Sequence, residues 1–336
     1  MTHEFKKIVD AYILAHANGL QAVLATIVAL QGSSYRKPGV RMLLLSNGKT
    51  VGAVSGGCVE KEVLLQSNTV FKTGIPKIMT YDGRYRLGCE GILYILLEPF
   101  EPNASFIEIF NNTIKKRAKF KISSFFKEEE ITAIGLGSKV QFVDDSFALQ
   151  AHYNLNTELD VFEQVMVPSL KLIIIGAEHD AVQLALQASM LGWDITVIAN
   201  PSEAKSIADF PGAHYFLNVL PTDFNTSLVD QETAIVLMNH SFSKDLAFLL
   251  ALKETKPLYI GLLGPIRRRE KLLNELLEKD NEIAMSFLDG IYGPAGINIG
   301  AITPQEIAIS VLSEILAVTR KQEPMLLRDK TSGIHS

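Results

Sequence analysis

The chain has 336 residues, 47% of them hydrophobic and 21% charged, which excludes extended disorder and exceeds one ordinary domain. The formal net charge of −5 lacks the basic excess of a nucleic-acid-binding surface, and no apolar run approaches the ~20 residues of a membrane span. Two cysteines, Cys58 and Cys89, make no disulfide framework, and Met1-Thr-His-Glu-Phe-Lys-Lys lacks the apolar core of a secretory signal, so a cytoplasmic protein with free thiols is expected.

Phe5, Ile8, Val9, Tyr12 and Ile13 recur at helical spacing over residues 5–20. The β-branched run from Ala22 to Leu30 fits a buried strand, and Gly32-Ser-Ser-Tyr-Arg-Lys-Pro-Gly39 is a glycine-punctuated loop. Met42 to Leu45 and Val51 to Val54 read as strands joined by the hairpin signal Asn47-Gly48. Ser55-Gly56-Gly57-Cys58 then leads into a helix from Val59 to Val70, and Gly88-Cys89-Glu90-Gly91 leads into a strand from Ile92 to Leu97. Residues 112–168 are less regular, carry the basic Lys115-Lys116-Arg117 and the acidic Glu128-Glu129-Glu130, and suggest hairpins.

A second pattern begins with Leu172-Ile-Ile-Ile-Gly176, a buried parallel strand. A helix from His179 to Leu191 follows, then strands at Ile195 to Ile198, Ala234 to Met238 and Pro257 to Gly261. The fold class is therefore α/β: an N-terminal α+β domain over 1–160, then a Rossmann-like doubly wound parallel sheet over 168–330. The boundary is expected in the polar stretch Asn154 to Asp160. Thr303, Pro304 and Glu306 form a capping box for a last helix with Ile307, Val311, Ile315 and Val318 on one face.

Four segments have the composition of binding sites. A dinucleotide fingerprint wants Gly-x-Gly-x-x-Gly/Ala at the first strand-to-helix turn. Gly176-Ala-Glu178-His-Asp-Ala181 has Glu178 at the second glycine, and no acid follows Ile198, where Ala199-Asn200 stand. The fold pattern is retained while the NAD(P) pattern is damaged. Cys58 and Cys89 both sit in glycine turns. At a helix N-terminus, Cys58 would have its thiolate favoured by the dipole, and Gly56 and Gly57 would let a ligand approach the backbone. The alternative is a pair of small buried residues in tight turns. Neither a CxxC nor a CxxH spacing marks a metal site.

Gly261-Leu-Leu-Gly264-Pro-Ile-Arg267-Arg268-Arg269 places a glycine turn and arginines after a strand, either an anion site or a solvated basic helix face. Arg36, Lys37 and Arg41 make a weaker case of the same kind. Asn239-His240-Ser-Phe-Ser-Lys-Asp245 follows a strand at its carboxyl end, where His240 and Asp245 would meet a ligand or flank a helix cap.

These stretches resemble the XdhC/CoxI family of xanthine dehydrogenase accessory factors. Gly32 to Gly39, Ser55 to Glu60, Leu87-Gly-Cys89, Gly261 to Gly264 with Arg267 to Arg269, and Gly296 to Ser310 occur in family order over most of the chain. The resemblance implies an accessory protein without turnover of its own. It would bind molybdenum cofactor (molybdopterin), assist its maturation with a terminal sulfur and deliver it to a xanthine-dehydrogenase-type hydroxylase. The implied partners are the apo-hydroxylase and a cysteine desulfurase, with no nucleic acid and no membrane; a homo-oligomer stays open. The Gly-Gly-Cys turn is the family's suspected cofactor element, which carries over to Cys58, with the arginine turn as an anion clamp. Family members usually have glycine at Glu178, an acid at Ala199, serine at Pro265 and aspartate at Asn298. The alternative function is an NAD(P)-dependent oxidoreductase using the C-terminal domain.

Overall fold

A computed structural model describes residues 1–32, 34, 36–85, 91–152 and 158–331, without the side chains of Cys58 and Tyr85. It divides into two compact units, Met1–Pro168 and Ser169–Lys330.

In the first unit the order is α1 (Thr2–Ala17), β1 (Ala22–Gln31), β2 (Arg41–Leu45), β3 (Thr50–Gly52), α2 (Cys58–Thr73), β4 (Lys77–Asp82), β5 (Ile92–Pro99), α3 (Ala104–Lys115), β6 (Phe120–Phe126), β7 (Ile131–Thr132), β8 (Gly137–Gln141), β9 (Ser146–Ala148) and β10 (Asp160–Met166). Among the described residues these build an antiparallel sheet in the order β3-β2-β1-β5-β4-β7 and a second in the order β10-β6-β8-β9. The unit runs to Pro168, past the expected 160, because β10 pairs along its whole length with β6. The polar residues 154–157, where the boundary was expected, lie outside the described residues.

β1 reads as one continuous apolar run because both faces of its sheet are covered. Leu24 faces a core with Phe5 and Ile8 of α1, Phe106 and Phe110 of α3, and Phe120 of β6. Val23, Ala25 and Ile27 face the opposite core, with Val59, Val63 and Val70 of α2. Helix α3 is an element that the sequence pattern alone does not assign. Asn103 caps it by accepting from the Phe106 N–H at 2.8 Å, and Lys115 in its last turn complements the helix dipole.

The second unit contains β11 (Lys171–Ile175), α4 (His179–Met190), β12 (Asp194–Ala199), β13 (Tyr215–Asn218), β14 (Thr233–Leu237), α5 (Phe242–Leu252), β15 (Tyr259–Leu262), α6 (Ile266–Lys279), α7 (Met285–Asp289), β16 (Ile291–Tyr292) and α8 (Pro304–Arg320). All pairings are parallel, in the order β13-β12-β11-β14-β15-β16, which is the expected doubly wound sheet. Alternate strand residues feed two cores. Leu172 and Ile174 of β11 pack with Leu184 of α4 and Val311 of α8. Ile173 and Ile175 pack with Leu249 of α5 and Leu272 of α6. The capping box of α8 is formed as the sequence specifies, with Thr303 accepting from the Glu306 N–H and Glu306 accepting from the Thr303 N–H. Among the described residues no helix is long and apolar enough to cross a membrane.

The first unit also buries charge. Glu98 of β5 is wholly enclosed and accepts from the Ser138 N–H at 2.7 Å and the Ser138 hydroxyl at 2.6 Å. Burial nevertheless pushes its carboxyl from the usual 4.5 up to about 7, against those donors and the charge of Arg41. Between about pH 4.5 and about pH 7 the unfolded chain therefore ionises Glu98 while the folded chain keeps its proton, so this group's contribution to stability falls as pH rises and is level above about 7. Urea unfolding of the intact chain at pH 5, 6, 7 and 8 is expected to show wild type losing ground against Glu98→Gln up to pH 7, with a constant difference beyond. A pH-independent difference would refute this.

Candidate functional site

The turn after β3 is built around one carboxylate. Glu60, at the third position of α2, accepts from the Ser55 N–H at 2.6 Å, the Ser55 hydroxyl at 2.8 Å and the Gly57 N–H at 2.7 Å. Partial burial raises its pKa, but these hydrogen bonds outweigh that and hold Glu60 below the usual carboxylate range. Gly57 is the N-cap at φ +125°, a backbone conformation that disfavours any side chain, and the backbone of Cys58 opens α2. A Cβ added at Gly56 or Gly57 would meet no heavy atom within 4 Å. The backbone of this turn is thus open on the side where glycine leaves room.

Sheet pairing brings the turn together with two other motif segments. β1 ends at Gln31, which pairs with Ile92 at the start of β5, and Ile92 pairs with Asp82 at the end of β4. β3 ends at Gly52 opposite Met42, next to the start of β2. The 32–40 loop, the Ser55–Cys58 turn and the connection from Asp82 to Ile92 therefore leave one end of one sheet. Cys89 falls on that connection and lies outside the described residues; its flanks are joined by a 3.0 Å bond from the Gly83 N–H to the Gly91 carbonyl. Arg36 and Lys37 are exposed on the 32–40 loop. Arg41 is not part of that exposed basic set: it is buried in β2 and donates to the Gly39 carbonyl at 2.9 Å and to Gln164 at 2.5 Å. Burial pushes its guanidinium down to about 10, against the pull of Glu98.

The remaining candidates lie in the second unit, at the carboxyl ends of β11, β14 and β15. Gly176, at φ +124°, is held against the chain after β14, where a Cβ would stand 2.8 Å from the Met238 carbonyl carbon. His240 and Arg267 are exposed. For Arg268 the structure shows a partner inside the protein rather than an open face. Its guanidinium donates to Asp245 at 2.7 Å and to the Asn239 carbonyl at 3.0 Å, and Asn239 donates to the other Asp245 oxygen at 2.9 Å. Asp245, for which the sequence leaves open a ligand contact or a place beside a helix cap, lies in the first turn of α5 and is only 1% exposed, and burial raises its pKa against the hydrogen bonds of Arg268 and Asn239. Gly261 has a packing reason: a Cβ there would lie 2.6 Å from the Tyr259 ring. Among the described residues no three His, Cys, Asp or Glu side chains gather as a metal site.

In the sequence Glu60 stands only as the last residue of the Ser55–Glu60 motif, with no role of its own. The signal was available, since an acid three residues after an N-cap is the spacing of a capping box. The Arg268–Asp245 pair had no such signal, because its partners are 23 residues apart and meet only through the sheet.

Comparison with known proteins agrees with this architecture. Residues 172–315 match the XdhC Rossmann domain, and residues 15–82 match the XdhC and CoxI family. A protein of Bacillus subtilis (strain 168) named as a probable subunit of xanthine dehydrogenase is 28% identical over 322 residues, covering 90% of this chain and 94% of that protein. The molybdenum cofactor insertion chaperone PaoD of Escherichia coli (strain K12) is 25% identical over 330 residues, covering 96% of this chain and 91% of that one. A crystal structure described as a xanthine dehydrogenase from Bacillus halodurans superposes with a TM-score of 0.76 at 25% identity, covering 94% of this chain and 96% of the other.

The geometry of the turn makes Glu60 its fastener. Glu60→Ala removes the acceptor of two backbone N–H groups and is expected to cost about 1 kcal/mol at neutral pH, the usual effect of losing a helix cap. Because its folded pKa is depressed, that contribution is present above the ordinary carboxylate range and is lost as pH falls through the folded value. Urea unfolding at pH 7 and pH 3 should show the wild-type advantage shrinking in acid; an equal gap at both would contradict the assignment.

Proposed function

This chain belongs to the XdhC and CoxI family, and on that premise we propose that it carries molybdenum cofactor to a molybdenum hydroxylase of the xanthine dehydrogenase type. It acts as an accessory protein, with the cofactor as cargo rather than as a resident catalytic group. Two relatives that span nearly the whole chain support the reading, one named as part of a xanthine dehydrogenase and the other as a molybdenum cofactor insertion chaperone.

The observation that carries the site is the convergence of the 32–40 loop, the Gly56-Gly57-Cys58 turn and the flanks of the Cys89 connection at one end of the first sheet. The cofactor is an anionic pterin phosphate bearing a soft, sulfur-bound metal. Each part has a counterpart among these residues. Gly56 and Gly57 give room for close approach to the backbone, with no heavy atom within 4 Å of the position a Cβ would take. Cys58 supplies a sulfur ligand of the type that soft metals prefer. Arg36 and Lys37 are exposed cations on the loop from the same sheet end. In this reading Cys89 joins the site, Gly176 and Arg268 do not, and a cysteine desulfurase is the source of the terminal sulfur.

Intact protein mixed anaerobically, under reducing conditions, with cofactor released from a molybdoenzyme and then gel-filtered is expected to retain about one pterin per chain. Cys58→Ala and Gly56→Ala should each weaken retention at least tenfold, about 1.4 kcal/mol, while the thermal midpoint stays within a degree or two of wild type. Wild-type protein that retains no pterin would sink the proposal. Retention unchanged in both variants would move the site elsewhere.

A further inference from the structure

A Rossmann sheet ordinarily lays a dinucleotide across the carboxyl ends of its strands, from the end of the second strand, over the first strand-to-helix turn, to the fourth. In this chain that path runs from the end of β12, over Gly176 at the end of β11, to the end of β14. The residues along it do not suit the ligand. Glu178, exposed at the N-cap of α4, and Asp180 in its first turn put carboxylates where a pyrophosphate needs N–H groups and positive potential. Ala199 stands in place of the usual ribose-binding acid, and the next residue, Asn200, is turned onto its own chain, accepting from the Ser202 N–H at 3.0 Å and the Ser202 hydroxyl at 2.7 Å.

The path is also crossed. Lys244, in the first turn of α5 after β14, donates to Glu203, in the loop after β12, at 3.1 Å. Because β11 lies between β12 and β14 in the sheet, this ion pair links the segments on either side of the carboxyl end of β11, over which a dinucleotide would pass. Beside it Arg268 ties α6 to the end of β14 through Asp245 and the Asn239 carbonyl. Gly264 is what admits that arginine, since a Cβ there would stand 2.8 Å from the Arg268 Cδ. The one glycine of the fingerprint that remains, Gly176, is required by the Met238 backbone whether or not a ligand is present.

We propose that the dinucleotide cleft of the second unit is closed by the chain's own charges, with Lys244–Glu203 as the bar across it and Arg268–Asp245–Asn239 as the brace of its β14 wall, so that neither NAD(H) nor NADP(H) is its ligand. The unit keeps the Rossmann sheet as a rigid support and has turned the polar groups of the cleft inward on one another. This inference concerns only the second unit and stands or falls independently of cofactor binding by the first.

Calorimetric and nicotinamide-fluorescence titrations of the intact protein with NADH and NADPH are expected to show no saturation up to about 1 mM. Saturable binding of either below that concentration overturns the proposal. The brace is tested by stability. Arg268→Met strands a buried carboxylate and should lower the thermal midpoint by at least ~5 °C. Arg268→Met combined with Asp245→Asn, which removes the stranded charge but keeps a partner for Asn239, should recover half or more of that loss. An unchanged midpoint in Arg268→Met, or no recovery in the double variant, would show that Arg268 is not a brace.

Discussion

Strand β1 is paired antiparallel on both sides, with β2 and with β5, and the direction of those two ladders aims every motif loop of the first unit. Antiparallel neighbours send the end of one strand and the start of the next to the same edge. The chain leaving β1, the chain entering β5 and the turn beyond β3 must therefore emerge together. The strand can hold this central place because both of its faces are apolar, one against α1 and α3 and the other against α2. A one-residue slip would turn each apolar set toward the wrong core, so the register that buries the strand also fixes where the Gly-Gly-Cys turn stands.

Both units enclose charge, and they handle it differently. In the first, Glu98 is buried on the donors of Ser138, while Arg41 reaches Gly39 and Gln164 through one guanidinium nitrogen and leaves the other two buried without a hydrogen-bond partner, so the two charges meet dipoles and feel each other through the field. In the second, Asp245 and Arg268 meet directly at 2.7 Å. A buried pair adds little net stability over apolar packing, but removing one partner leaves an uncompensated charge. Such pairs therefore enforce a geometry rather than add to the total. Here the geometry is the join between α6, α5 and the end of β14.

Much of the architecture was legible because it is written in local patterns. The apolar β11 run, the break at Gly192 and the Thr303–Glu306 capping box specify their elements from a few adjacent residues, and the structure has them at those places. Helix α3 escaped because its signals are an asparagine cap and phenylalanines whose burial depends on α1 and β6. The arginine cluster 267–269 illustrates the harder limit. In sequence its members are equivalent, yet Arg267 is exposed, Arg268 lies on buried Asp245, and Arg269 donates to the Ile291 carbonyl at 3.0 Å.

The sequence by itself determined the locally marked elements, the doubly wound class of the second unit, the damage to its dinucleotide fingerprint and the family resemblance. Each of these rests on residue types within a turn or two of one another, where spacing alone states the physics. The tertiary structure alone decided which motif segments share an edge, which arginine meets buried Asp245 and that Lys244 of α5 meets Glu203 of the loop after β12. Those facts join residues tens of positions apart, and they exist only once strand pairing has chosen a register and folding has brought distant polar groups together.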